Sequence, residues 1–273
     1  MTEDKEAATD GYMEEIIKLN NELVNLQREL SISNAELAKA VETKNRFVGM
    51  VVHDLRNPLT VITMYAETVK QYKEDPAMVG ECSSIIQQSA DFMAELIETL
   101  LDTTSIETGT FSVSPEQGDI RALAEKTIGR MTPLAHSRNI ALSLSPGPGI
   151  VLYFDPMRIE QVLSNLVSNA IKYTPQGGSV EVSLSEQPNF ALLTVRDTGM
   201  GIPEQEQQKI FSYFGRTSNK SPHGDKSVGL GLALCKTIVE AHGGSIKLTS
   251  APLQGTTVTV RLPLSAENAD RPD

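Results

Sequence analysis

The sequence predicts an α+β chain in which an N-terminal coiled coil and a helical hairpin, closed into a four-helix bundle by a second copy, precede an α/β sandwich domain. Three observations lead there: an apolar heptad between Tyr12 and Phe47, a second apolar-striped helix beyond a turn at Lys73–Gly80, and short β-type runs alternating with helices after Thr108. At 273 residues the chain has length for about two ordinary domains, each able to bury a core.

The heptad reads Ile16, Leu19, Leu23, Leu26 and Leu30, then Leu37 and Ala40. Spacings of three and four keep these side chains on one helical stripe, which must be buried on a partner helix. Ser33 interrupts the seam; it either sets register at a cost in stability or is simply tolerated.

Helical pattern continues without a break through Phe47 to about Tyr72. A second helix follows, with Ile85, Ile86, Met93, Leu96, Ile97, Leu100 and Leu101 on one face, and ends near Gly109. Two such helices are too thin to bury both faces alone, so dimerisation into a bundle is expected.

Beyond Gly109, strands are expected at Phe111–Ser114, Ile140–Ser145, Val180–Ser185, Ala191–Arg196, Gly244–Thr249 and Thr256–Leu262. Helices are expected at about Ile120–Ser137, Pro156–Tyr173 and Val228–Ala241, on one side of a mixed or antiparallel sheet. Between Pro203 and Ser227 lies an irregular stretch rich in Gln, Ser, Gly, Lys and Pro, the pattern of a lid or a disordered segment. The domains read as 1–46 coiled coil, 47–109 helical hairpin, 110–264 sandwich and 265–273 disordered tail.

Charge and cysteines narrow the class. A formal charge of −11, from 24 basic and 35 acidic side chains, disfavours nucleic acid or an anionic membrane surface as the main partner. Cys82 and Cys235 lie far apart without metal-ligand spacing and read as reduced, buried thiols of a cytoplasmic protein. No apolar run approaches the ~20 residues needed to span a bilayer, although a membrane-bound sensor upstream is compatible with this.

Chemistry concentrates in a few strings. In His53-Asp54-Leu55-Arg56-Asn57-Pro58-Leu59 the residues His53 and Asn57 share a helical face. Pro58 lacks an N–H and collides with the carbonyl of Asp54, which predicts a kink beneath the histidine. An imidazole nitrogen attacks phosphorus better when a carboxylate holds the proton on the other ring nitrogen, and Asp54 is placed to do so.

Asn165, Asn169, Lys172 and Tyr173 fall on one face of the expected Pro156–Tyr173 helix, opposite Ile159, Val162, Leu163, Leu166 and Ala170. An Asn oxygen suits Mg²⁺ and a Lys supplies a point charge for phosphates, but alone the stripe is equally a polar surface. Asp197-Thr-Gly199-Met-Gly201 places a carboxylate able to accept from an adenine amino group beside two glycines, or makes a plain turn. Gly229-Leu230-Gly231 opens a helix whose free amides form a phosphate site, or a glycine-tolerant helix start.

Together and in this order the strings resemble the H, N, G1 and G2 boxes of the sensor histidine kinases of two-component systems. Phe211-Ser-Tyr-Phe214-Gly-Arg216 resembles their F box. The resemblance covers about Phe47 to Leu264.

It implies the ATPase fold shared with type II topoisomerases, Hsp90 chaperones and MutL proteins, the GHKL or Bergerat fold. It further implies ATP and Mg²⁺ as cofactors, with Asn165, Asn169, Lys172, Tyr173, Asp197, Gly199, Gly201, Arg216, Gly229, Leu230 and Gly231 around the nucleotide and Asn169 at the metal. By the same resemblance a homodimer phosphorylates His53 and passes the phosphoryl group to the receiver domain of a response regulator. Asp54 and Asn57 match the pattern for phosphatase activity on that regulator.

One position departs: Ser227 stands where the family has the first glycine of Gly-x-Gly-Leu-Gly, which bears on lid flexibility and turnover. Lys220, His223 and Lys226 are lid candidates for phosphate contact or a solvated loop. The competing readings are a phosphatase-biased or kinase-inactive scaffold and a non-kinase clamp ATPase of the same superfamily.

Overall fold

The computed structural model describes residues 3–212, 215, 217–219, 221–223 and 229–265. The readings on Tyr213, Phe214, Arg216, Lys220, Lys226, Ser227, Val228 and the tail beyond Ser265 lie outside them. The chain divides into two compact units, Met1–Arg56 and Asn57–Asp273.

The first unit is helix throughout its described length, the greater part of α1 (Glu3–Gln71). Among the described residues its seam is not covered: Leu19, Leu23, Leu26, Leu30 and Leu37 are each more than half exposed, at 55–64%. That is the signature of an apolar stripe awaiting a partner helix.

The second unit opens with the end of α1, which runs on past Pro58, and turns at Tyr72–Asp75 into α2 (Pro76–Glu107). The helix begins four residues before the expected end of the turn at Gly80, because Asp75 caps it. The Asp75 carboxylate accepts from the amides of Ala77 and Met78, and Pro76 occupies the first turn, where a missing N–H costs nothing.

The remainder is the expected sandwich. Strand β1 (Glu116–Asp119) leads into α3 (Ile120–Ser137), followed by β2 (Ala141–Leu144), β3 (Val151–Phe154) and α4 (Pro156–Tyr173). Then come β4 (Ser179–Gln187), β5 (Phe190–Asp197), the single turn α5 (Glu204–Gln207), α6 (Gly231–Ala241), β6 (Ser245–Ser250) and β7 (Thr256–Pro263). The five-stranded sheet has the order β2-β4-β5-β7-β6, parallel between β2 and β4 and antiparallel elsewhere, hence mixed. Helix α4 packs between α3 and α6, and all three lie against this sheet.

Helices α3 and α4 begin and end at their predicted residues because the start signals are strong. Asp119 accepts from the Arg121 amide at 2.9 Å, and Asp155 accepts from the Met157 and Arg158 amides at 3.1 Å. The expected inner face of α4 is buried, Ile159, Val162 and Leu163 fully so at 0% exposure. Each such aliphatic side chain contributes about 1.5–3 kcal/mol by leaving water.

Two strand assignments need correction. Phe111–Ser114 is not a strand; the ladder forms at Glu116–Asp119, a polar segment held extended by antiparallel pairing with β3. Strand β3 itself is unforeseen, a four-residue run behind Gly147-Pro148-Gly149. Cys82 and Cys235 are buried free thiols, as expected.

Candidate active site

The phospho-acceptor string sits on α1. The His53 side chain is 65% exposed, and its Nδ1 lies 2.9 Å from Oδ1 of Asp54, itself only 15% exposed. A carboxylate can only accept, so Nδ1 carries the proton and Nε2 keeps its lone pair directed away from Asp54. Asn57 is half-buried and Pro58 buried.

The nucleotide strings converge within the second unit. On α4, the Asn169 amide donates from Nδ2 to Oδ1 of Asn165 at 2.7 Å, a bond that does not use the Asn169 oxygen. The start of α6 abuts the same pair: a Cβ on Gly231 would lie 2.2 Å from Asn165 Nδ2, so only glycine lets the two helices approach this closely. No side chain caps α6, and the Leu230 side chain turns inward at 2% exposure, so a contact from this string comes from backbone amides. Gly229 takes φ +78° ahead of them.

Asp197 ends β5 and is 8% exposed. Its Oδ1 accepts from the amides of Gly199 at 2.8 Å and Thr256 at 3.1 Å. Burial raises its carboxyl above the ordinary range, against the lowering effect of those two amides. Oδ2 has no protein donor among the described residues. The Gly199–Gly201 turn closes on α4: the Met200 amide donates to the Tyr173 carbonyl at 3.3 Å. Gly201 has φ +66°, and a Cβ there would strike the Ala251 carbonyl at 1.8 Å.

The described parts of the lid are tied down. Ser221 donates from Oγ to the Lys172 carbonyl at 3.0 Å, Nε2 of His223 lies 2.9 Å from the Thr174 carbonyl, and Asn219 donates from Nδ2 to the Gly201 carbonyl at 2.5 Å. His223 is thus an anchor onto the end of α4 rather than a side chain free in solvent. The Lys172 ammonium lies 5.8 Å from the Tyr173 ring centroid.

Three supporting residues escaped the sequence reading. The Thr256 amide grips Asp197 from 59 residues away, a distance no local pattern reveals. Asp155 caps α4, which the Asp-Pro pair before an apolar stripe could have signalled. His242 is 6% exposed; its Nδ1 donates to the Ile238 carbonyl at 2.7 Å, so Nε2 accepts the Asp155 amide at 3.0 Å, joining the end of α6 to the start of α4.

Residues 43–109 match the His Kinase A (phospho-acceptor) domain, and residues 154–266 match the histidine kinase-, DNA gyrase B- and HSP90-like ATPase family. Over 265 residues the chain is 30% identical to the adaptive-response sensory kinase SasA of a Synechococcus strain, covering 95% of this chain and 69% of that protein. The chain belongs to the sensor histidine kinases. It is also 31% identical to the sensor histidine kinase TmoS of Ectopseudomonas mendocina, over 87% of this chain but 25% of that one. The chain spans between about a fifth and about two thirds of the length of the curated relatives it matches. The crystal structure of histidine kinase ThkA in complex with the response regulator protein TrrA shares its fold, with TM-score 0.57 and 23% identity over 81% of this chain and 61% of that one.

Proposed function

We propose that this chain is the catalytic portion of a homodimeric protein-histidine kinase that phosphorylates its own His53 from ATP and then donates the phosphoryl group to an aspartate of a response-regulator receiver domain. The observation that carries the reading is the exposed imidazole with Nδ1 held by Asp54, which presents Nε2 as a nucleophile. Nε2 attacks the γ-phosphorus of ATP, an N–P bond forms as the bond to the bridging oxygen breaks, and ADP leaves. Asp54 stabilises the charge that develops on the ring through the Nδ1 proton.

The nucleotide is assigned to the cradle between α4, the Asp197 turn and the start of α6. Asp197 accepts from the adenine amino group, and Lys172 with the α6 amides neutralises phosphate oxygens. Mg²⁺ fits the neutral oxygen of Asn169, fixed by its bond to Asn165, and when bound supplies charge neutralisation at the phosphates. Catalysis is then largely positioning and electrostatics, as phosphoryl transfer requires.

The exposed leucine seam supports dimerisation through 1–46 and the hairpin 47–109, with 110–264 as the catalytic domain. The receiver domain as partner is supported by ThkA, whose structure holds a response regulator. Asp54 and Asn57 support a second activity, hydrolysis of the phosphorylated regulator, and the reaction is assigned to the cytoplasm, where ATP and reduced thiols coexist.

Incubation with γ-labelled ATP and Mg²⁺ tests the reading. The native chain should acquire a label that is lost in acid and survives alkali, and His53→Gln should acquire none. A label that persists in His53→Gln would reject the assignment.

A further inference from the structure

The polar stripe of α4 does not stop at the nucleotide residues. Arg158, Gln161, Asn165, Asn169 and Lys172 follow one another at spacings of three, four, four and three, so all lie on one helical face. The C-terminal three are the nucleotide residues. The N-terminal two grip α2.

Asp102, five residues before the end of α2, is 7% exposed. Its Oδ1 accepts from Arg158 Nη1 at 2.6 Å and its Oδ2 from Gln161 Nε2 at 2.9 Å, so both carboxylate oxygens are used. Arg158 Nη1 also donates to Gln161 Oε1 at 3.2 Å, and the guanidinium lies 5.1 Å from the Phe111 ring centroid. The linker after α2 is caught a second time, where the Ser114 amide donates to Asp155 Oδ2 at 3.0 Å. Thus α2, the linker and the first turns of α4 meet at one half-buried cluster.

A desolvated ion pair adds little net stability, because the desolvation of both charges offsets their attraction, but it tolerates only one geometry. Here that geometry joins the bundle helix to the nucleotide helix. We propose that Asp102 is a positioning residue for phosphoryl transfer: through Arg158 and Gln161 it makes α2 and α4 one rigid lever, so the nucleotide is presented from a fixed mount. This rests on the kinase reading above. Without the clasp the linker lets the nucleotide domain explore a larger volume, and the effective concentration of γ-phosphate at its target falls.

The test uses the full chain with Asp102→Arg, Arg158→Asp and the two combined. Each single variant should lower the autophosphorylation rate at saturating ATP by about tenfold or more, while the affinity for a fluorescent ATP analogue stays within about twofold. The combined swap should recover at least about half of the lost rate. Amide exchange across 109–114 should quicken in the single variants and slow again in the swap. Gln161→Glu, which sets a second carboxylate beside Asp102 without removing the Arg158 pair, should give a weaker version of the same pattern if the charge variants fail to fold.

Affinity and rate falling together without rescue would mean a merely structural contact, and an unchanged or faster rate would mean that the clasp does not present the nucleotide; either overturns the proposal. A native chain that takes no label defeats the kinase reading itself. Linker exchange then still reads the clasp, and exchange that is indifferent to all variants defeats it.

Discussion

The helical N-terminal region and the sandwich use the same apolar residues to opposite ends. Leu30 of the seam is 62% exposed, whereas Leu163, on an apolar stripe of the same period, is fully buried. The difference is closure: α4 finds its sheet within the chain, whereas α1 leaves its face exposed, and on the proposed reading a second copy completes it. On that reading, the nucleotide cradle is a property of one chain, and the presentation of His53 belongs to an assembly.

The sharpest way to break this contrast is to shorten one leucine in each region. Leu163→Ala should cost about 2–5 kcal/mol of stability in urea titration, irrespective of chain concentration. Leu30→Ala should instead raise the dimer dissociation constant in sedimentation, with an effect on unfolding that depends on concentration. A concentration-independent loss at Leu30 would mean that the seam is completed within the chain.

Next in size is the chemistry on the open helix. Asp54→Ala should slow autophosphorylation by about a hundredfold, the ordinary contribution of a proton-managing side chain, while leaving ATP affinity unchanged. Asp197→Asn should do the reverse in the closed region. It should weaken nucleotide binding by about tenfold or more in a calorimetric titration, because a charge-assisted hydrogen bond is lost, with little effect on the rate once the site is saturated.

The smallest effect is protonic. Burial holds His242 below its ordinary value of 6.5, and its Nε2 must stay unprotonated to accept the Asp155 amide. As pH falls below that value the unfolded chain takes up a proton that the folded chain refuses, so this stability is present above it and drains toward the folded pKa. The melting temperature should drop by a few degrees between about pH 7 and pH 5, and by less in His242→Asn.

How far these features could be read in advance depends on how local their causes are. Helices α3 and α4 were legible because a periodic apolar stripe, opened in α4 by Pro156, lies within each segment, although the Asp caps that fix their first residues went unread. Strands β1 and β3 were not, since Glu116–Asp119 has no strand propensity and extends only because Val151–Phe154 pairs with it. In the candidate site, the order of the strings singled out Asn165, Asn169, Asp197 and Gly231 as nucleotide candidates. The joint of Asn165 with Gly231, the grip of Thr256 on Asp197 and the clasp on Asp102 all span long stretches of chain and became visible only with the fold.

The two native thiols carry a practical consequence. Cys82 and Cys235 are each 1% exposed, so neither offers its sulfur to solvent, and burial pushes the Cys235 thiol up to about 12. A cysteine introduced at exposed Ser84 on α2 is then the only one a maleimide probe should find, and a second on the outer surface of the sandwich would make a spectroscopic ruler without first stripping the chain of its own sulfur.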